Sequence, residues 1–195
     1  METNTQTGKL LATKYLGNNP KLATRLEHSI SVGDLSSKVA KRIAQNNPEL
    51  NINVDLCEFL GYCHDIGYFI SPEKHEIHTI ELLKKEGLDP EIAKKAMHGQ
   101  LAEQFGEKEG NVRQYFPVGI EGIILTYCDM SVRIGEPVAI KERAREIIER
   151  IKTIPTIPDA LKKDIEDNMI KALPRFERYE QIVLALAGLK SAKEF

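Results

Sequence analysis

The chain has 195 residues, of which 27 are basic and 29 acidic, and 42% are hydrophobic. This length and apolar share suit one domain with a core of its own. The balanced charge gives no broad basic field for nucleic acid, and the lack of tryptophan argues against a stacking platform for single strands. A local basic pocket for a small anion remains compatible with this composition.

The ends of the chain and its cysteines predict a soluble, cytoplasmic protein. The N-terminal stretch METNTQTGKLLATKYLG is polar and contains no apolar segment typical of a secretory signal. The run IVLALAGL near the C-terminus is too short to span a bilayer. The three cysteines form no CxxC pair, so we expect them to be reduced core residues.

Turn signals divide the first half of the chain into helix-sized blocks. Asn19 and Pro20 have the residue types of a helix cap and a first helical position. This helix should end at NNPELN. A second helix is predicted over Val54–Ile66, a third over His75–Glu86 and a fourth from Asp89 to His98–Gly99.

The second half also reads as helices. We expect a charged loop over 106–117, a helix over 119–133 that IGEP ends, and another helix from Pro137. The IPTIP segment should be a linker. The remainder, 159–189, predicts two helices with a break near Pro174. Because alternation of period two is scarce, the predicted fold class is all-α, a compact helical bundle.

Four polar residues stand in apolar segments of this predicted bundle. His28, the adjacent His64 and Asp65, and Asp129 are each flanked by residues that should face the core. Two imidazoles and two carboxylates suit a divalent transition metal such as Mn, Fe, Co, Ni or Zn, and Mg is possible although it prefers oxygen ligands only. Helical neighbours point about 100° apart, so one ion would have to lie between the directions of His64 and Asp65.

The segments RLEHSISVGDL, GYCHDIGYF and LTYCDMSVRI, taken in this order, resemble the HD-domain superfamily of metal-dependent phosphohydrolases. The resemblance covers roughly residues 20–150 and implies an all-α bundle with His28, His64, Asp65 and Asp129 as metal ligands. We therefore predict an N-terminal segment over 1–19 and a metal-binding domain over 20–152. A helical extension over 153–195 should pack on the same domain.

The resemblance also suggests a second ion. In some branches, further histidines bind it, and here His78 and His98 stand in the right order, with His75 able to replace His78. Asp65 would then bridge two ions and could accept a proton from the attacking water. His98 would bind the second ion or stabilise developing negative charge.

Substrate-binding residues are a further expectation. Arg25 lies one helical turn before His28, and some family members hold a substrate phosphate with a comparable arginine. Lys74 and Arg133 could add positive charge at the mouth of the cleft. Tyr68 stands where the cyclic-dinucleotide phosphodiesterase branch carries lysine and no GYP motif follows, which argues against that branch.

The predicted function is hydrolysis of a phosphate ester, as a phosphomonoesterase or phosphodiesterase, on a nucleotide or another small phosphorylated metabolite. The site would hold one or two ions. Three alternatives stay open: a metal-binding or nucleotide-sensing module with weak catalysis, an oxygenase using two irons on the same scaffold, and a helical partner-binding protein. The sequence leaves the oligomeric state open, a homo-oligomer included, and indicates no extended nucleic-acid surface and no membrane partner.

Overall fold

The computed structural model describes residues 1–99, 102–133 and 136–195. Helices dominate these residues, as predicted, and the short ladder of β1 (Val132–Arg133) with β2 (Glu136–Pro137) is the one sheet in this part of the chain. The α-helices are α1 (Thr5–Ala12), α2 (Ala23–Asn46), α3 (Val54–Cys63), α4 (His75–Lys85), α5 (Pro90–Ala93), α6 (Glu107–Glu109), α7 (Gly119–Ser131), α8 (Ile140–Lys152) and α9 (Asp159–Ala187). Short 3₁₀ or π segments lie at Thr13–Gly17, Pro20–Leu22, Pro48–Leu50, Ile66–Phe69, Lys94–Ala96, Ala102–Gly106, Val112–Tyr115 and Ala192–Glu194.

The close crossing of α2 and α3 forms the centre of the bundle. A Cβ atom at Gly61 of α3 would lie 2.6 Å from the Cα atom of Gly33 in α2, so a larger side chain at either position would force the helices apart. The buried ring of Tyr62, the residue that follows Gly61, packs directly against Gly33. This packing fixes the end of α3 against the middle of α2, and His28 lies five positions before Gly33 on α2.

The predicted second helix is three residues too long. Helix α3 ends at Cys63, and His64 and Asp65 lie in the turn that leads to the 3₁₀ segment Ile66–Phe69. The hydroxyl of Thr79 on α4 holds this turn, because it donates to the His64 carbonyl at 2.8 Å and accepts from the Gly67 N–H at 2.9 Å. The change of backbone direction lets two adjacent side chains point into one space.

The C-terminal helix α9 packs against α2 and α7. The side chains of Asn46 and Asn47 donate hydrogen bonds to the carbonyls of Ala187 and Leu186, each at 2.7 Å. The predicted break near Pro174 is wrong, because α9 continues through it. Pro174 and Ile170 both lie on the exposed face, where water can satisfy the carbonyl that proline leaves without a donor.

Three further boundaries differ from the sequence prediction. The N-terminal segment contains α1, whose Gly8 approaches Phe59 and Tyr62 of α3. The expected loop over 106–117 instead contains α6 and a 3₁₀ turn. The fourth predicted helix stops at Ala96, so His98 stands outside it. Two residues of the expected IGEP break, Ile134 and Gly135, lie outside the described residues.

Across the described residues, the helices lack the combination of length and hydropathy that a membrane crossing requires.

Candidate metal centre

The four residues predicted from the sequence converge at one end of the bundle. His28 on α2 and Asp129 on α7 bring Nε2 and Oδ1 to 2.8 Å from each other. From the turn after α3, His64 Nε2 lies 3.4 Å from the same Asp129 oxygen and 3.5 Å from Asp65 Oδ1. His64, Asp65 and Asp129 are almost completely buried, and His28 is 17% exposed.

A second group of ligand atoms shares Asp65. His75 Nε2, at the start of α4, lies 3.6 Å from Asp65 Oδ1 and 3.4 Å from His98 Nε2. His98 Nε2 is in turn 3.9 Å from Asp129 Oδ2. Two triads could therefore each hold an ion, with their donor atoms within 4.8 Å of one another, and Asp65 is common to both. The triads are His28, His64 and Asp65, and Asp65, His75 and His98.

Backbone carbonyls orient three of these imidazoles. The Nδ1 atoms of His64, His98 and His75 lie 2.8, 3.0 and 3.3 Å from the carbonyl oxygens of the residues three, two and three positions earlier. Because a carbonyl oxygen can only accept, each Nδ1 carries the hydrogen, so each Nε2 presents its lone pair whenever the imidazole is neutral. All three Nε2 atoms face the shared centre, as in metal sites whose ligand histidines are held by a second hydrogen bond.

The buried carboxylates give the centre a negative electrostatic potential. Burial lowers the pKa of His64, but the nearby charges of Asp65 and Asp129 outweigh it and raise this pKa to about 9. Burial tends to raise the pKa of Asp65, yet the charges of His64 and Arg25 bring that pKa far below its usual range. Burial lowers the pKa of His75 to about 4, so this imidazole is neutral at pH 7 and available as a ligand.

The arrangement fits a divalent cation. Among the described residues, His64 Nε2 is buried without a hydrogen-bond partner, although two carboxylate oxygens lie within 3.5 Å. Facing two anions, this nitrogen is stabilised either by a proton, as the raised pKa of His64 indicates for the metal-free chain, or by a cation bound to its lone pair. Two donors bound to one ion at about 2.1 Å are themselves about 3.4 Å apart in tetrahedral geometry. The separations of 3.4–3.6 Å within the cluster match that spacing.

Arg25 closes the exposed side of the centre. Its Nη1 donates to Asp65 Oδ2 at 3.1 Å, and its guanidinium lies 4.1 Å from the ring centre of Tyr68. Partial burial, together with the charges of Arg143 and Arg25, lowers the pKa of Arg150 on α8. Arg143 and Arg150 are seven positions apart, about two helical turns, and so lie on one face of α8. Arg150 of α8 is therefore near enough to Arg25 of α2 for their charges to interact, while Arg143 also pairs with Glu146 at 3.5 Å.

The structure keeps three predicted residues away from this centre. His78 lies on a partly exposed side of α4, with Nδ1 3.3 Å from Glu81, and is displaced from His75 by about 4.5 Å along the helix and about 60° around it. It is therefore His75 that joins the second triad. Lys74 pairs with Glu109 at 2.6 Å, and the exposed Arg133 pairs with Glu142 and Glu146. Neither cation contacts the cluster.

Glu76 belongs to the centre but was not selected as a site residue from the sequence. It is fully buried, with Oε1 3.6 Å from His98 Nε2, and Oε2 accepts from the Gly99 N–H at 3.2 Å. A glutamate beside a histidine at a helix start is a common surface pattern, so spacing alone does not mark it. Its position on the inner face of α4, next to His75, is the signal that could have identified it.

Comparisons with known proteins agree with this geometry. A family model described as HD domain matches residues 25–129, a span that begins at Arg25 and ends at Asp129. It includes every residue of the two triads. No solved structure matches the chain significantly.

Two curated relatives are named ribonuclease Y and come from two strains of Dehalococcoides mccartyi, BAV1 and CBDB1. Each is 27% identical to this chain over 140 residues, which are 70% of this chain and 23% of the relative. The chain thus spans about a quarter of the length of these relatives. The aligned region of 140 residues is therefore much longer than the three short motifs of the HD-domain resemblance.

Proposed function

This chain belongs to the HD-domain family, and from that premise we propose that it is a metal-dependent phosphohydrolase acting on a nucleotide or another small phosphate ester. The observation that carries the proposal is the pair of ligand triads that share Asp65. Two donor sets around one carboxylate suit two divalent ions, although the number and identity of the ions belong to the proposal. Mn, Fe, Co, Ni and Zn fit a mixed nitrogen and oxygen donor set best.

A divalent ion in this site would activate water as a nucleophile and polarise the phosphoryl oxygen. The residues of the chain supply the other requirements. His28, His64 and Asp129 would hold one ion, His75 and His98 a second, and Asp65 both. Burial of the carboxylates keeps bulk water from competing for these donors.

Arg25 is placed to orient the substrate. Its guanidinium has five N–H donors, and the described contact to Asp65 uses one of them. The remaining donors can bind phosphate oxygens while the ring of Tyr68 supports the guanidinium plane. Arg150 on α8, whose pKa is lowered in part by the charge of Arg25, would add positive charge that favours an anionic substrate. Asp65 Oδ2, which faces Arg25, is the proposed acceptor of the proton from water.

The ribonuclease Y relatives bring RNA into consideration as a second substrate. Their name concerns those proteins, of which this chain covers about a quarter. The near-balanced charge of the chain, −2 at pH 7, favours a small substrate over an extended nucleic acid. RNA therefore enters the test as a competing substrate.

A substrate panel with defined metal ions tests the proposal. The purified chain would be freed of metal, reloaded with Mn²⁺, Co²⁺, Ni²⁺, Zn²⁺ or Mg²⁺, and offered nucleoside phosphates, bis-p-nitrophenyl phosphate and short RNA. We expect phosphate or nitrophenol release that Asp65→Asn abolishes and the surface variant His78→Gln leaves unchanged. Silence on every substrate with a fully loaded site would favour a sensor, and oxygen uptake that depends on iron would favour the oxygenase.

A further inference from the structure

The segment that carries His98 has no long helix to hold it. The 3₁₀ turn Lys94–Ala96 ends before it, and Met97 has extended backbone angles. Gly99 follows with φ at +78°, a conformation that side chains other than glycine rarely adopt. His28, His75 and Asp129 differ in this respect, because each lies on an α-helix of eleven or more residues. Apart from the local bond of Nδ1 to the Ala96 carbonyl, the position of the His98 ring therefore depends on tertiary contacts.

Arg175 on α9 makes the strongest of these contacts. Its Nη2 donates to the Gly99 carbonyl at 2.7 Å. The same guanidinium binds both carboxylate oxygens of Glu103, with Nη2 at 2.9 and 2.7 Å and Nε at 3.1 Å. Both side chains are at least 86% buried, so water weakens this pair little.

Gly99 is held from both sides. Its N–H donates to the buried Glu76, and its carbonyl accepts from Arg175. The Arg175 Nη1 atom occupies the space of the missing side chain, because a Cβ atom at Gly99 would lie 2.7 Å from it. Three aromatic rings surround the guanidinium and restrict its movement; they are Phe116, Phe176 and Tyr179.

We propose that Arg175 is a positioning residue for the second ligand triad: through Glu103 and the Gly99 carbonyl, it fixes His98 against His75. Helix α9 lies beyond the residues that the family model matches, which end at 129. The C-terminal helix would then be part of the functional unit, because it completes a ligand group that the matched domain does not hold by itself. The inference rests on the proposed function only for the identity of the group that His98 binds.

The first test is made on metal-free protein, with the imidazole nitrogens followed by ¹⁵N NMR. In Arg175→Gln we expect the resonances of His98 and His75 to shift or broaden while those of His28 and His64 stay in place. Arg178→Gln, an exposed arginine on the same helix, is the matched control and should leave all four unchanged. Unchanged His98 resonances in Arg175→Gln would overturn the inference whatever the chain does with metal.

The second test is titration of the metal-free chain with Mn²⁺ or Co²⁺. Substitution of a residue that orients a metal ligand typically lowers the affinity for the metal about 10–100-fold. Arg175→Gln should weaken the ion of the His75 and His98 triad by that factor and leave the other ion unaffected. The same substitution in a His98→Ala background should have no further effect. Equal weakening of both ions, or an undiminished effect without His98, would show a merely structural role and overturn the inference.

Two other variants keep the proposal testable if Arg175→Gln does not fold. Arg175→Lys retains the charge but loses the bidentate geometry, and Gly99→Ala places a Cβ atom against Nη1. Each should reproduce the selective weakening, and a chain of normal stability with unaltered binding in both would contradict it. If the parent chain bound no ion, the phosphohydrolase proposal would fail, while the NMR comparison would still decide whether Arg175 positions His98.

Discussion

His28 and Asp129 are 101 positions apart in the chain, yet His28 Nε2 lies 2.8 Å from Asp129 Oδ1. The contact joins α2 to α7 at the point where the turn after α3 supplies His64. Burial alone would raise the pKa of Asp129, but the hydrogen bond with His28 and the nearby charge of His64 bring that pKa well below its usual range. The Asp129 carboxylate thus stays ionised inside the bundle.

Removing His28 should selectively weaken the ion held by the first triad. His28→Ala takes away one of the four ligands proposed for this ion, and we expect a loss of about 10-fold or more in affinity for Mn²⁺ or Co²⁺. Glu27→Ala changes the exposed neighbouring residue and serves as the control. Isothermal titration of metal-free protein measures both. Equal affinity of His28→Ala and the parent would remove His28 from the ligand set.

A comparison of His75 with His78 tests the second triad on a single helix. His75 is buried against Asp65 and His98, whereas His78 is 26% exposed beside Glu81. His75→Ala should lower the amount of bound metal by up to one ion per chain, and His78→Ala should leave it unchanged. Elemental analysis after gel filtration gives the stoichiometry. Loss of metal in His78→Ala alone would restore the assignment made from the sequence.

Arg25 should affect substrate binding more than metal binding. Arg25→Gln removes a charged donor to the substrate phosphate, a contribution of about 1.5–3 kcal/mol, so kcat/KM should fall by about 10–100-fold. The change should appear chiefly in KM, with the metal content intact. Arg145→Gln, an exposed arginine on α8, is the comparison. A large loss of bound metal in Arg25→Gln would mean that its contact with Asp65 supports the ligands instead.

A larger residue at the crossing of α2 and α3 should lower the free energy of unfolding. Gly61→Ala places a methyl group 2.6 Å from the Cα atom of Gly33, against backbone that cannot move independently. We expect the free energy of unfolding to fall by about 1–3 kcal/mol. Lys38→Ala, on the exposed face of α2, should change it by less than about 0.5 kcal/mol. Urea denaturation measures both, and a Gly61→Ala chain as stable as the parent would refute the close approach.

The Cys57 thiol should make stability depend on alkaline pH. Complete burial raises the pKa of Cys57 far above its ordinary value of 9.0. The folded chain therefore retains a proton that the unfolded chain loses above pH 9. The contribution is fully present below that pH and is lost as pH rises, by about 1.4 kcal/mol per pH unit.

Denaturation of the parent and Cys57→Ala from pH 8 to 10.5 measures this term as the difference between two slopes. The parent should lose stability more steeply above pH 9. Parallel curves would show that the thiol ionises as easily in the folded chain as in the unfolded one.

The sequence predicted much of the fold but not its local boundaries. Apolar periodicity placed α2, α3, α4 and α7 close to their observed positions, because buried faces of helices repeat with the helical period. It placed His64 and Asp65 inside a helix, since the turn after Cys63 carries no proline and its glycine comes late. It also predicted a break in α9 near Pro174. Local sequence rules contain no information that the carbonyl of Ile170, which proline leaves without a donor, faces solvent.

By itself, the sequence determined the residue types that a metal centre needs and the helices that carry most of them. Only the tertiary structure decided between His75 and His78, because both have the same chemistry and about one turn of α4 separates a buried position from a partly exposed one. It also brought the Glu76 side chain to His98 and Arg175 to the Gly99 carbonyl, contacts for which a sequence contains no periodic signal. The chemistry of a side chain is fixed by its residue type alone. Whether distant side chains meet at one site depends on how the helices that carry them cross.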